Sequence, residues 1–329
     1  MSDDFTDASS AGVLRRYEGN PILSAQDVPY ACDLVFNAGV CKLDGRYVMV
    51  FRNDYGWRGR PKGFEGTNLG LAFSDDGLKW RVQERPCWQW HDDEVVRVYD
   101  PRLTLLDGQC WITFALDTRH GVRGGLGVTE DFERFEVVHL TAPDNRNIVL
   151  LPRRVDGDLV RLERPMPVYS RGGDRFDIWL SRSRDGQRWS SPELVLAVED
   201  VPFANDKIGP AAPPVWTEQG WLTTFHAVER DDSRGKNGWE DRWQKRYFAG
   251  LMLLDRRDPS KVVGLARQPL LTPLADYETQ GGFRNDVIFP TGMIVEDDGQ
   301  ARIYYGAADT VMCLATADVN ELVSLCEPV

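Results

Sequence analysis

The sequence lacks any apolar run close to the roughly 18 residues that a membrane-spanning helix requires. Its first residues, MSDDFTDASS, are acidic and polar, whereas a signal peptide would be basic and then apolar. Positive charge is also scarce, because 39 basic residues stand against 51 acidic ones and give a formal net charge of −12. This balance argues against nucleic acid or an anionic membrane surface as a partner. We therefore expect a cytoplasmic protein.

Motifs for metals, nucleotides and nucleophilic catalysis are missing as well. The six cysteines contain no C-x-x-C pair and the four histidines are not spaced as ligand pairs, so we expect reduced core cysteines and no metal site. The run RGGLG (123–127) lacks the Gly-Lys-Ser/Thr of a phosphate-binding loop. There is no Gly-x-Ser-x-Gly elbow, and no serine or cysteine has an evident base partner. Nucleophilic catalysis by the protein is therefore poorly supported.

What the sequence does contain is a repeated turn followed by a strand. Glycine after an acidic or amide residue, and then a run of β-formers, is typical of a tight hairpin. Five copies occur, at LDGRYVMVFR (43–52), LDGQCWITFA (106–115), VDGDLVRLER (155–164), EQGWLTTFHA (218–227) and DDGQARIYYG (297–306). A second pattern, a strand that ends in an acidic turn, follows at FSDDGLKW (73–80), VTEDFERF (128–135), SRSRDGQRW (181–189) and LDRRDPSKV (254–262).

These repeats predict an all-β fold built from five small antiparallel sheets. Radial packing protects the edges of such sheets, so we predict a five-bladed β-propeller. No low-complexity linker divides the chain, which favours a single domain over residues 1–329, with a flexible N-terminal extension at 1–16. The best helical pattern is the short C-terminal segment DVNELVSLC (318–326).

Polar side chains stand within the predicted strands or at their ends. In a propeller the inner strands converge on a central channel, so such side chains share one pocket. The set comprises Asn37, Arg52, Arg146, Arg164, Lys207, His226 and Asp309. Taken singly, each has an ordinary explanation as a solvated or paired arginine or a core histidine. Taken together, cations at equivalent positions of an acidic protein predict an anion, either a phosphate or a carboxylate.

The motif VYDPRL (98–103) supplies an acid. Asp-Pro commonly marks a loop, but the pair also suits a catalytic acid that its neighbours hold rigid. We expect Pro101 to restrict Asp100 to extended backbone. We expect Arg102, two residues further along a strand, to point to the same side and to orient Asp100 or hold its charge. Inverting hydrolysis of a glycoside needs a second carboxylate, whereas attack by phosphate needs a cationic cradle instead.

A family resemblance follows from an ordered set of motifs. VFNAGV, VYDPRL, NRNIVLLP, LERP, KIGPAAPP, FHAV, DPSKV, DVIFPTG and YYGAADT together resemble glycoside hydrolase family 130, from about Tyr17 to the C-terminus. The resemblance implies a five-bladed propeller that cleaves a terminal β-mannosidic bond with inorganic phosphate and releases α-D-mannose 1-phosphate and a shortened acceptor. It implies a β-mannoside and phosphate as partners, and no metal or organic cofactor, since phosphate is a co-substrate.

The resemblance also implies roles for residues of this sequence. Asp100 matches the family's general acid, which delivers its proton through the 3-hydroxyl of the mannose. Phosphate binding maps onto Arg146, Arg164, Lys207, His226 and Tyr247. Mannose recognition maps onto Asn37, Arg52, Asp100 and Asp309.

Three hypotheses from different classes follow. The first is an inverting phosphorylase, because the family's hydrolases lack the phosphate-binding cations that this sequence retains. The second is an inverting mannosidase, in which an acid of the insertion activates water, with Glu229, Asp231 and Asp232 as the choices. The third is a non-catalytic sugar-binding propeller, with aromatic platforms at Trp57, Trp239 and Trp243.

Two segments depart from the family's pattern, the loop 53–66 and the hydrophilic insertion 229–246. Both are expected to border the acceptor side, and the insertion could form a lid or a subunit contact. The acceptor sugar, the linkage and the formation of a homo-oligomer therefore stay open.

Overall fold

The protein is described by a computed structural model over residues 12–59, 62–166, 175–233 and 244–329. Within these ranges the strands form five antiparallel sheets, which are arranged as the blades of a propeller. The inner strand of the first blade contacts the inner strands of the second and fifth blades. The mostly β, five-bladed propeller predicted from the sequence is confirmed.

The first three blades each contain four strands, ordered from the axis to the rim. The first strand among the described residues is β1 (Arg15–Arg16), which joins the last blade. The first blade contains β2 (Leu34–Leu43), β3 (Arg46–Tyr55), β4 (Gly66–Ser74) and β5 (Arg81–Val82). The second blade contains β6 (Val95–Leu106), β7 (Gln109–Thr118), β8 (Gly121–Thr129) and β9 (Glu136–Leu140). The third blade contains β10 (Asn145–Leu150), β11 (Leu159–Pro165), β12 (Ile178–Ser183) and β13 (Glu193–Leu196).

The last two blades include strands from both ends of the chain. The fourth contains β14 (Lys207–Pro210), β15 (Val215–Trp216), β16 (Trp221–Arg230), β17 (Lys245–Leu254), β18 (Val262–Leu265) and the late strand β22 (Glu327–Pro328). The fifth contains β19 (Ile288–Val295), β20 (Gln300–Ala307) and β21 (Val311–Asp318), followed by β1. In the described part of the chain the short helices are α1 (Asp276–Thr279) and α2 (Val319–Ser324), with single 3₁₀ turns at Ala25–Asp27 and Val198–Asp200. Helix α2 is the predicted C-terminal helix, and the Asp318 side chain caps it.

Strand β1 closes the ring by pairing antiparallel with β21. The Arg16 guanidinium donates two hydrogen bonds to the buried Glu278 carboxylate, at 2.8 and 2.9 Å. The predicted flexible extension at 1–16 is therefore wrong for Arg15 and Arg16, which are part of the fifth blade. Residues 1–11 of that prediction lie outside the described residues.

The two repeated sequence patterns correspond to two kinds of turn. Asp-Gly pairs join the first two strands of the first three blades, with both residues at the positive φ that a tight hairpin requires. These pairs are Asp44 and Gly45, Asp107 and Gly108, and Asp156 and Gly157. In the acidic turns, an aspartate side chain accepts two backbone N–H groups and fixes the turn locally. These aspartates are Asp76, Asp131, Asp185 and Asp255.

The hydrophobic core is divided into clusters that lie between neighbouring blades. Leu162 and Phe225 belong to the cluster between the third and fourth blades, and Phe51 and Tyr304 to the one between the fifth and first. Because each blade is packed on two faces, its middle strands are almost continuously apolar. The six cysteines are free. Among the helices formed by the described residues, none has the length and apolar character needed to cross a membrane.

Candidate active site

Three of the inner strands share one kind of bulge. The register shifts between Phe36 and Gly39 in β2, between Tyr99 and Arg102 in β6, and between Arg146 and Val149 in β10. A polar residue with positive φ lies in each bulge, namely Asn37 (50°), Asp100 (51°) and Asn147 (58°). Asn and Asp tolerate this conformation better than most residues, and a bulge turns a side chain out of the regular alternation of the strand. The bulges therefore direct polar side chains toward the propeller axis.

The backbone at Asp100 differs from the sequence prediction. Local sterics before Pro101 predict extended backbone at Asp100, and this prediction is wrong, because φ of Asp100 is 51°. The bulge also breaks the side-chain alternation, so Arg102 makes no hydrogen bond to Asp100. Its guanidinium instead donates to the carbonyl oxygens of Pro101 at 2.8 Å and Ala211 at 2.7 Å. Arg102 therefore anchors the bulge and affects Asp100 through its charge.

The bulges open on a central cavity of about 270 Å³. Nine of the ten residues that the sequence singles out for the site line this cavity: Asn37, Arg52, Asp100, Arg146, Arg164, Lys207, His226, Tyr247 and Asp309. Arg102, the tenth, does not line it. An outer cavity of about 560 Å³ adjoins the central one, and Arg52, Arg97 and Asp117 are among the residues that line both. The propeller thus brings residues from all five blades to one place.

Two side chains fix one oxygen of the Asp100 carboxylate. Oδ1 accepts a hydrogen bond from Asn37 Nδ2 at 3.1 Å and another from Arg52 Nη1 at 3.3 Å. Burial alone raises the pKa of this carboxyl. This effect is opposed by the charges of Arg52, Arg102 and Arg146 and by the hydrogen bond from Asn37. Together they outweigh burial and lower the pKa of Asp100 below its ordinary value. Asp100 is therefore ionised, with Oδ1 oriented and Oδ2 left without a hydrogen bond from the described residues.

Two other carboxylates near Asp100 are paired with arginines. Asp54 accepts from Arg52 Nη2 at 2.7 Å. Asp309 accepts from Arg284 Nη1 at 3.2 Å. Burial raises the pKa of Asp309 above its ordinary value, although the charges of Arg284 and Arg52 oppose this shift. Both carboxylates therefore hold arginines beside the cavities.

Arg146, Arg164 and Lys207 form a cationic cluster in which none has a carboxylate partner within 4.0 Å among the described residues. Arg146 Nε and Arg164 Nε and Nη2 are buried, and no described residue accepts a hydrogen bond from them. Burial and the charge of Arg146 lower the pKa of Arg164 to about 9. Burial and the charge of Arg164 hold the pKa of Lys207 well below its ordinary value. Burying cations without a counter-charge is costly, so the cluster has both the charge and the donors to bind an anion.

His226 is not a further cation. Arg164 Nη1 lies 3.3 Å from His226 Nε2, and because a guanidinium can only donate, this nitrogen accepts. Burial, Arg164 and Lys207 hold the pKa of His226 well below its ordinary value. The cationic character predicted for His226 is therefore wrong, although the residue does line the cavity. Its neutral ring stacks against Phe289 at 4.6 Å and Tyr247 at 6.2 Å.

Several residues of the site were missed in the sequence. Arg97 pairs with Asp117 at 2.7 Å, and the Tyr99 hydroxyl also donates to Asp117 at 2.7 Å. The Tyr99 oxygen accepts from Arg146 Nη1 at 3.4 Å. Arg97 and Tyr99 alternate along the strand that leads to Asp100, which was an available signal. Asp117 had no such signal, because it comes from the next strand, which the pairing of β6 with β7 places opposite Arg97.

The outer cavity has an aromatic wall formed by Trp57, Phe64 and Phe283. Their ring centroids lie 4.7 to 5.3 Å apart, and Trp57 is 40% exposed. Gln89 and His91 are among the polar residues that complete the lining. Exposed aromatic rings beside hydrogen-bonding groups are suited to a sugar. The loop 53–66 therefore borders this cavity, although its residues 60 and 61 lie outside the described residues.

The acids considered for water activation are not in the central cavity. None of the three lines it: Glu229, Asp231 and Asp232. Glu229 lines a separate cavity of about 90 Å³. Within the insertion 229–246, Trp239 and Trp243 lie outside the described residues. Among the described residues, no group of His, Cys, Asp and Glu is arranged to hold a metal ion.

Comparison with known proteins gives consistent matches over nearly the whole chain. The model of glycoside hydrolase family 130, described as β-1,4-mannooligosaccharide phosphorylase, matches residues 13–328. A β-1,4-mannooligosaccharide phosphorylase from Ruminococcus albus is 30% identical over 331 residues, which cover 96% of this chain and 91% of that protein. A β-1,2-mannobiose phosphorylase from Listeria innocua is 29% identical over 256 residues, which cover 77% of this chain and 67% of that protein. The solved structure of the Listeria innocua β-1,2-mannobiose phosphorylase with β-1,2-mannobiose has a TM-score of 0.80 at 24% identity and covers 95% of this chain and 98% of that one.

Proposed function

The chain belongs to glycoside hydrolase family 130, and from this premise we propose that it is an inverting phosphorylase of terminal β-mannosides. Phosphate attacks C1 of the mannose while the glycosidic C1–O bond breaks, which gives α-D-mannose 1-phosphate and a shortened acceptor sugar. The observation that carries the proposal is the cationic cluster of Arg146, Arg164 and Lys207, which lines the same cavity as Asp100.

Phosphate matches this cluster in charge and in hydrogen-bonding capacity. Its oxygens can accept from the buried donors of Arg146 and Arg164 that no described residue satisfies. Each charge-assisted hydrogen bond is worth about 1.5 to 3 kcal/mol, which offsets the cost of burying the cations. A bound phosphate also restores the pKa of Lys207 toward its ordinary value. His226 and Tyr247 complete the proposed site from the neighbouring strands of the fourth blade.

Asp100 supplies the proton that the leaving oxygen needs, through the 3-hydroxyl of the bound mannose. Because the surrounding arginines lower its pKa, the carboxylate has to gain a proton when the substrates bind. Phosphate beside Arg146 offsets one of the positive charges, and the sugar displaces water from the carboxylate, so both substrates raise the pKa of Asp100. The acid thus becomes competent in the complex that contains both substrates.

The sugar spans the two adjoining cavities. Asn37, Arg52 and Asp309 bind the terminal mannose in the central cavity. The acceptor occupies the outer cavity against Trp57, and its volume of about 560 Å³ is within the usual range for a ligand site and suits an oligosaccharide. The relatives named above act on β-1,2-mannobiose and on β-1,4-mannooligosaccharides, so a β-mannooligosaccharide is the substrate class that we propose.

The two alternatives are less well supported. An inverting hydrolase needs a second carboxylate that activates water, and Glu229, Asp231 and Asp232, the acids considered for this role, do not line the central cavity. A purely sugar-binding propeller accounts for the aromatic wall of the outer cavity, but it gives no reason for the buried cationic cluster.

Incubation with β-1,4- and β-1,2-linked mannobiose and longer oligosaccharides, with and without inorganic phosphate, separates the three. We expect α-mannose 1-phosphate, identified by its anomeric NMR signals, and only when phosphate is present. Free mannose released without phosphate would identify a hydrolase. No turnover on any β-mannoside, with binding retained, would identify a sugar-binding protein.

A further inference from the structure

We propose that Tyr99 and Asp117 are positioning residues that hold Arg146 in place for phosphate and make phosphate binding respond to a sugar in the outer cavity. This inference rests on the proposed phosphorolysis. It concerns residues that neither the sequence pattern nor the resemblance singled out.

Arg146 stands at the end of a chain of hydrogen bonds. Arg97 Nε donates to Asp117 Oδ2 at 2.7 Å, and the Tyr99 hydroxyl donates to Asp117 Oδ1 at 2.7 Å. Because its proton is given to Asp117, the phenol oxygen is left as an acceptor, and Arg146 Nη1 lies 3.4 Å from it. Asp117 therefore sets the direction of the Tyr99 hydroxyl, and the hydroxyl holds one edge of the guanidinium. The buried Nε of Arg146, which no described residue accepts from, remains for an anion.

The Tyr99 ring is buried and is contacted by two arginines. Only 2% of the residue is exposed. The guanidinium carbon of Arg52 lies 4.9 Å from the ring centroid, and that of Arg97 lies 5.0 Å from it. The hydroxyl therefore has a fixed position and cannot follow Arg146 if the guanidinium moves. Such rigidity is what a positioning residue requires.

The other end of the chain reaches the outer cavity. The side chains of Arg97 and Asp117 are 34% and 28% exposed, and both residues line the two cavities. A sugar in the outer cavity contacts this ion pair and restrains it, which restrains Tyr99 and Arg146 in turn. Because coupling between two binding sites is reciprocal, phosphate and the oligosaccharide each strengthen the binding of the other.

The test is a steady-state rate matrix in which phosphate and a β-mannooligosaccharide are both varied, for the wild type, Tyr99→Phe and Asp117→Asn. We expect the KM for phosphate to rise about 3- to 10-fold in each variant, as the loss of one hydrogen bond predicts. We also expect a saturating oligosaccharide to lower the phosphate KM in the wild type and to leave it unchanged in the variants. The matched control is Asp258→Asn, which removes the 3.0 Å partner of Arg182 away from both cavities and should keep the wild-type phosphate KM.

Two results would overturn the inference. One is an unchanged phosphate KM in both variants. The other is an equal rise of both KM values together with a lower melting temperature in Tyr99→Phe, which would mark a structural role. If the wild type itself shows no phosphate-dependent cleavage, the proposed function fails first, so the two failures are distinguishable.

Discussion

Asn37 donates a hydrogen bond to Asp100 across the gap between the inner strands of the first and second blades, with Nδ2 and Oδ1 3.1 Å apart. Both residues have positive φ, at 50° and 51°. Few L-residues adopt this conformation without strain, and it is concentrated at functional sites. The proposed acid is thus oriented by the residue at the corresponding bulge of the neighbouring blade.

Replacement of Asp100 by Asn should abolish turnover while the fold is retained. Asn has nearly the same shape and tolerates positive φ, but it carries no proton of suitable acidity, so we expect kcat to fall about 10²- to 10⁴-fold. The measurement is release of mannose 1-phosphate, with thermal unfolding as the control for folding. Near-normal activity in a folded variant would show that another group is the acid.

The Asn37→Gly substitution tests how the pKa of Asp100 is set. Glycine keeps the positive φ and removes one of the hydrogen bonds that lower this pKa. A higher pKa keeps Asp100 protonated to higher pH. In a plot of kcat against pH, the basic limb should therefore move to higher pH, by about one unit. The matched control is Asn147→Gly, at the bulge of the third blade. The Asn147 side chain makes no hydrogen bond to Asp100, so this variant should leave the position of the basic limb unchanged. A downward shift in Asn37→Gly would contradict the assignment.

The parts of the molecule that could be predicted from the sequence depend on local chemistry. The Asp-Gly hairpins and acidic turns are fixed by residues within a few positions of one another, and they revealed five similar units. The bulge at Asp100 depends instead on a distant contact. A side chain at Gly39 would place its Cβ 2.8 Å from the Arg102 backbone, so the missing side chain in the first blade makes room for the bulge in the second. Local preference before Pro101 predicts the opposite backbone, and tertiary packing overrides it.

The charge state of His226 could not be predicted for a similar reason. A histidine within a strand is compatible with either form, and the neutrality of His226 follows from burial beside Arg164 and Lys207. These two cations come from different blades, so their proximity to the ring exists only in the folded protein. Arg164 was singled out at the end of a predicted strand, and Lys207 in the segment NDKIGPAAPP, because both are cations in an acidic protein.

Substitution of Arg164 by Met should separate stability from function. Arg164 is a buried cation whose Nε and Nη2 are satisfied by no described residue, so an apolar side chain of similar length should raise the free energy of unfolding in phosphate-free buffer, by about 1 to 3 kcal/mol. Phosphate should raise the melting temperature of the wild type, because it binds only the folded state, and this increase should be much smaller in the variant. In turnover assays, the phosphate KM of Arg164→Met should be raised about 10- to 100-fold.

The control is Arg182→Met, at a surface ion pair with Asp258. A wild-type response to phosphate in Arg164→Met would argue against the cationic cluster as the phosphate site.

Replacement of Trp57 by Ala should affect the acceptor side alone. Trp57 is exposed in the outer cavity, and its ring centroid lies 4.7 Å from that of Phe64 and 5.3 Å from that of Phe283. It makes no contact with the cationic cluster. Loss of a stacking surface worth about 0.5 to 1.5 kcal/mol should lower kcat/KM about 2- to 12-fold for mannotetraose. The phosphate KM measured at saturating oligosaccharide should be unchanged.

The comparison of chain lengths makes this prediction more specific. A longer oligosaccharide covers more of the outer cavity than mannobiose does. In Trp57→Ala, the kcat/KM for mannotetraose divided by the kcat/KM for mannobiose should therefore fall. Leu194→Ala, an exposed apolar residue that lines neither cavity, should keep the wild-type ratio. An equal loss for mannobiose and mannotetraose would place Trp57 beside the terminal mannose, and an unchanged ratio with unchanged rates would mean that the acceptor does not lie against the aromatic wall.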